Sequence, residues 1–219
     1  VTALLAAVFV LAAMHRGGGG ERSVLIRRLV YLFVAQNIWL VISSILRLKL
    51  YVEVYTLSEL RIAAGIWMGL VAVGLVLIVV RIALNRTNMW LVTANLFALA
   101  LTLYATIWVN FPSVIATYNV QHSREVTGQG VPLDMYYVND LGAETVPAID
   151  EFLRTAKYAS DTTLHDFGLL RDNLAEHYVD RDASTGETHL APVGWRSWTW
   201  RHDRLSQYLL AQPFAPDPA

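Results

Sequence analysis

The 219-residue chain contains no cysteine. That excludes a disulfide framework, a thiolate zinc site and a thiol nucleophile. Proline is missing from the first 111 residues, and all seven lie from Pro112 onward. Charge is scarce, at 16% of the residues, and it is wholly absent from Val30 to Leu46 and from Ile62 to Val80. Runs of seventeen and nineteen uncharged, largely apolar residues approach the length needed to cross a bilayer. No Asp, Glu or Lys stands in the middle of such a run, so the usual mark of a proton or ion relay is missing. Also missing are a GxSxG elbow, a Walker loop and a dinucleotide fingerprint.

What is present is a chain of two unlike halves. The hydrophobic share is 55%, high for an ordinary soluble domain. Residues 1–110 carry nine Lys/Arg against three Asp/Glu, and residues 111–219 carry eight against fifteen. The pattern predicts an all-α protein: a polytopic transmembrane region over 1–110, a small acidic α-helical extramembrane domain over 111–211, and a disordered tail over 212–219 with its prolines. About four spans are expected, at 1–14, 28–50, 59–84 and 89–110. Val1 to Met14 reads as the truncated tail of a span, since no basic leader precedes it. In the fourth, Trp90 and Trp108 stand eighteen residues apart, about 27 Å along a helix and close to the hydrocarbon thickness.

Between the second and third spans the apolar residues alternate at Leu46, Leu48, Leu50, Val52 and Val54. Alternation is a strand signal. A helix continuing out of the span is preferred, because a lone strand at a membrane surface leaves its backbone groups unpaired. The same turn predicts a capping box: the Thr56 hydroxyl accepting from the Glu59 amide, the Glu59 carboxylate reaching back, and Tyr55 and Leu60 as the staple.

Within the spans, Gly65 and Gly69 form a GxxxG pair suited to close helix packing. Gln36, Asn37 and Asn95 are intramembrane amides, expected to bond across helices for roughly 0.6 to 2 kcal/mol each. The same amides would serve a transport path. In the acidic half, Asp161, His165, Asp172 and Glu176 share one side of a helix, opposite the stripe of Leu164, Phe167, Leu170, Leu174 and Tyr178. That is a solvated face, and no metal ligand, cofactor-binding residue or catalytic residue is assigned. Trp195, Trp198 and Trp200 with neighbouring arginines suggest stacking, but the acidity of this half argues against nucleic acid. Asp161 is expected to cap its helix, Asp180 to Gly194 to form a loop, and Trp195 to Ala211 the last helix.

Three segments resemble a bacterial multi-pass membrane family. They are Arg47-x-x-x-Tyr51-x-x-x-Tyr55-Thr56-Leu57-Ser58-Glu59-Leu60-Arg61; Asn110-Phe111-Pro112 with Ile115-Ala116-x-Tyr118-Asn119; and Leu133-Asp134-x-x-Tyr137 with Ala143 and Val146-Pro147-Ala148. The family is catalogued as domain of unknown function 4153, with its relative 4173, to which the chain looks closer. Two departures stand out: Thr56 replaces the glycine of the pattern, and Phe111 interrupts its Asn-Pro pair. The resemblance implies an integral inner-membrane protein and carries no catalytic residue, cofactor or established activity.

The expected function is non-enzymatic: interaction, sensing or scaffolding through the C-terminal domain, with the bilayer and another envelope protein as partners. A transporter component using polar faces of spans two and four is the alternative, and an enzyme is third. Six arginines on the side of the Gly-rich loop (Gly17 to Gly20) against four Lys/Arg on the other place the C-terminal domain in the periplasm.

Overall fold

The structure is a computed structural model that describes residues 24–176, 178–181, 188–190 and 199–212. The expected span at 1–14, Trp195, Trp198 and most of the tail lie outside the described residues. Among the described residues the fold is helical, apart from one short ribbon, and the chain separates into two units. One holds the chain up to Glu53 together with Leu60–Val109; the other holds Val54–Glu59 together with the chain from Asn110 onward.

The first unit is built on α1 (Val24–Tyr55), α2 (Glu59–Ala83) and α3 (Asn88–Trp108). Their membrane-length portions cover 28, 25 and 21 residues, from Arg28, Glu59 and Asn88 respectively. At 1.5 Å per residue these are about 42, 37 and 31 Å long, against about 30 Å of hydrocarbon. All three are long and apolar enough to cross a membrane. The alternating stretch 46–55 is helical, as the backbone argument required. Lys49 and Glu53 form an exposed i,i+4 pair along it, at 3.8 Å. Val30 and Val34 of α1 pack with Leu75, Ile78 and Ile82 of α2 and Leu91 of α3. Most other large apolar side chains face outward, Trp39, Phe97 and Trp108 among them. Such a surface is unfavourable in water and suits lipid. The Thr87 side chain caps α3 by accepting from the Trp90 amide at 3.1 Å.

Around two hydrophobic clusters, the second unit consists of short helices. These are α4 (Phe111–Gln121), α5 (Arg124–Thr127), α6 (Met135–Asp140), a 3-10 turn (Ala143–Thr145), α7 (Val146–Thr155), α8 (Asp161–Ala175) and α9 (Trp200–Ala211). Asn110 caps α4, with Pro112 in the first turn, where a missing N–H costs nothing. Ala116 and Val120 of α4 meet Val138, Ile149, Phe152, Leu153, Leu164 and Phe167. The rings of Phe152 and Phe167 lie 4.6 Å apart. A second cluster seats Leu205 and Leu209 of α9 on Val146 and Ala175. Gly128 ends α5 at φ 77°, and the Tyr158 ring lies 3.2 Å from where a Cβ would project. Only glycine meets both conditions without strain.

Two local expectations are corrected. Ser160, not Asp161, caps α8, its hydroxyl accepting from Thr163 N at 3.2 Å. The Asp180–Gly194 loop contains strand residues: β1 (Val179–Arg181) pairs antiparallel with β2 (Thr188–Leu190), Val179 opposite Leu190. The described part of the last helix begins at Trp200, capped by Thr199.

Candidate functional site

The turn between α1 and α2 belongs to the second unit, and side chains of that unit hold it. Asn119, on the buried face of α4 next to Ala116 and Val120, is 4% exposed. Its Oδ1 accepts from Leu57 N at 2.7 Å, and its Nδ2 donates to Leu57 O at 2.9 Å. One amide thereby satisfies both backbone groups of one turn residue, as a neighbouring strand would. Two residues on, Glu59 N donates to the Tyr137 hydroxyl at 3.1 Å. Tyr137 is placed by α6, whose cap Asp134 accepts from Tyr137 N at 3.1 Å. Leu133 N is in turn held by the Glu125 carboxylate at 3.1 Å.

These bonds replace the capping box expected of Thr56 and Glu59. The Glu59 amide is given to Tyr137. Thr56 stands at φ 67°, in the left-handed region, whereas an N-cap residue is extended. Left-handed backbone suits the glycine that the family pattern carries there. Long-range bonds close the turn where a local motif was foreseen.

A second polar cluster lies deep among α7, α8 and α9. Arg171 and Asp150 are both fully buried, and Arg171 Nε donates to Asp150 Oδ1 at 3.0 Å. The Tyr208 hydroxyl donates to Asp150 Oδ2 at 2.8 Å. Further guanidinium bonds go to Asp172 Oδ1 at 3.2 Å and to the Gln212 carbonyl. Burial, then the hydrogen bond to Asp150, pushes the Tyr208 phenol up to about 12. Burial and then Glu144 raise Tyr178, whose ring stacks on His202 at 4.6 Å. Removing a buried ion pair from water is costly unless the remaining lone pairs and protons find partners. Here both carboxylate oxygens and all three guanidinium nitrogens are engaged. The chemistry of this cluster is to tie three helices together.

The other singled-out residues are dispersed. Asn37 Nδ2 donates to Phe33 O and Asn95 Nδ2 to Leu91 O, both at 2.8 Å. Each amide turns back onto its own helix; the expected bonds across helices are not formed by these groups. Gln36 is exposed. A Cβ at Gly65 would meet Leu48 Cδ2 at 3.5 Å, an ordinary contact, and one at Gly69 would meet nothing within 4 Å. The close approach is at Gly74, where a Cβ would lie 3.1 Å from Asn95 Oδ1. Asp161, His165, Asp172 and Glu176 are all exposed, and no group of three metal-ligating side chains is assembled among the described residues.

Asn119 and Tyr137 stand within the quoted motifs, so a signal for them was in the sequence. Asp150, Arg171 and Tyr208 carried none, because each reads as an ordinary polar position on an amphipathic helix.

No curated protein and no solved structure matches the chain. The family model described as Domain of unknown function (DUF4153) matches residues 1–152, from the first residue to Phe152 in α7. Asn119, Tyr137 and the turn they hold all fall inside the match; Arg171 and Tyr208 lie beyond it. The chain belongs to the family described as Domain of unknown function (DUF4153).

Proposed function

We propose that this is an integral protein of the bacterial inner membrane that acts without catalysis. In this reading its C-terminal helical unit lies in the periplasm, binds another envelope protein, and serves as a sensing or scaffolding element. The supporting observation is the two-bond hold of Asn119 on Leu57. The turn joining two membrane-length helices is built into the helical unit, so a partner that strains this unit can act on the turn. The transporter alternative has less support, because Asn37 and Asn95 spend their donors within their own helices.

The test is in-cell photocrosslinking from Tyr136 and Leu169, both exposed positions of the helical unit. The reading expects one discrete adduct with an envelope protein from at least one position, weakened in Asn119→Leu. Adducts with lipid alone, or a cytoplasm-only reporter fluorescing after Gln212, would count against it.

A further inference from the structure

A cleft of about 190 Å³ lies between α1 and α2, with Asn37 and Ser44 on one wall and Trp67, Met68, Val71 and Leu75 on the other. We propose that it binds a neutral, membrane-soluble phenol, its ring between Met68, Val71 and Leu75 and its O–H donated to Asn37 Oδ1.

Asn37 is 8% exposed, and its Nδ2 donates to Phe33 O at 2.8 Å. A carbonyl only accepts, so that bond fixes which end of the amide is nitrogen. Oδ1 receives no hydrogen bond from any described residue. Ser44 cannot supply one, because its hydroxyl donates to Leu40 O at 2.9 Å. In hydrocarbon there is no bulk water to satisfy a carbonyl oxygen, so a ligand bringing a donor gains what the helix leaves unmade.

Depth and size narrow the class. Asn37 stands seven residues into the uncharged run that begins at Val30, about 11 Å along the helix and near the middle of that run. Phospholipid head groups do not reach that depth, and no charged side chain lines the cleft to balance an ion. The donor must therefore sit on a neutral molecule. An apolar cavity of about 150 Å³ holds a benzene ring, so the volume here fits a ring with one small substituent. A tyrosine from a neighbouring helix has the same chemistry, and a crosslink from position 68 to another polypeptide tells it from a free molecule.

The experiment uses the full chain in detergent micelles with 4-bromophenol, and with 4-bromoanisole, which keeps ring and oxygen but lacks the O–H. Heavy-atom quenching of Trp67 is read as the difference between the wild type and Trp67→Phe. Saturable quenching is expected, with 4-bromophenol effective at a roughly five- to thirty-fold lower concentration, the worth of one hydrogen bond. Asn37→Leu should abolish that preference within the same micelles. Val71→Phe, which fills the cleft and leaves Asn37 intact, should abolish saturation. Equal quenching by both probes, or a preference that survives Asn37→Leu, overturns the proposal. Unsaturable quenching, with a crosslink from position 68 to another polypeptide, overturns it in favour of a helix side chain.

Discussion

Replacing Thr56 by glycine should stabilise the protein. Thr56 holds φ 67° in the turn between α1 and α2. In that region Cβ crowds the following carbonyl, at a cost of about 1–2 kcal/mol for a residue with a side chain. Glycine relieves the crowding but gains freedom in the unfolded chain, which takes back about 0.4–1 kcal/mol. Thr56→Gly should therefore exceed the wild type by about 0.5–1 kcal/mol. Thr56→Ala controls for the hydroxyl, since it also lacks the oxygen but keeps Cβ. It should fall below Thr56→Gly by about 1 kcal/mol. Reversible unfolding in mixed micelles, followed by helical circular dichroism, gives both differences. A Thr56→Gly protein no more stable than Thr56→Ala would refute the strain argument. A loss in Thr56→Gly that disappears when Glu59 is also changed to alanine would restore the capping box.

Other consequences concern packing within each unit. Arg171→Met should cost about 3–5 kcal/mol, because it leaves the Asp150 carboxylate buried and unpaired, and Asp150→Leu in the same chain should restore much of the loss; chemical denaturation of the three variants checks this. Tyr208 keeps its proton to about 12 when folded and releases it near 10 when unfolded, so its contribution is complete below pH 10 and lost as pH rises through 12. The alkaline fall in thermal stability between those values should be shallower in Tyr208→Phe. Gly74→Ala drives a methyl toward Asn95 Oδ1 and should cost about 1 kcal/mol, with Asn95→Ala largely cancelling the cost in a double-mutant cycle.

The helices of the first unit were legible because a bilayer-length run of apolar residues is a one-dimensional property. Thr87 and Asn110, which cap the helices that follow them, are side chains of the type that starts helices. Periodicity also reported the face of α8 that carries Leu164 and Phe167, although Tyr178 lies beyond the helix and Arg171 is buried on the same element. What the sequence hid were conformations and partners set at a distance. Thr56 followed by Glu59 satisfies the local pattern of a capping box, yet its backbone is left-handed and its neighbour Leu57 is engaged by Asn119, 62 residues beyond Leu57. Asp150 and Arg171 are 21 residues apart on different helices, and no local rule pairs them. The GxxxG spacing singles out Gly65 and Gly69, with Gly74 only beside them, whereas close approach is decided by what stands opposite, here Asn95 across from Gly74. The pairing of Val179–Arg181 with Thr188–Leu190 could not be read from the sequence, because three-residue strands are too short to show alternation.

Hydrogen–deuterium exchange over residues 56–61 of the full chain in nanodiscs tests most directly whether the turn is part of the helical unit. The Leu57 and Glu59 amides, held by Asn119 and Tyr137, should be protected in the wild type. Loss of a buried bond worth about 1–3 kcal/mol should speed exchange at Leu57 by roughly five- to 150-fold in Asn119→Leu. The core around Ile149, Phe152 and Phe167 should meanwhile keep its protection. A wild-type turn that exchanges as freely as an unbonded loop, or one indifferent to Asn119→Leu, would contradict the account.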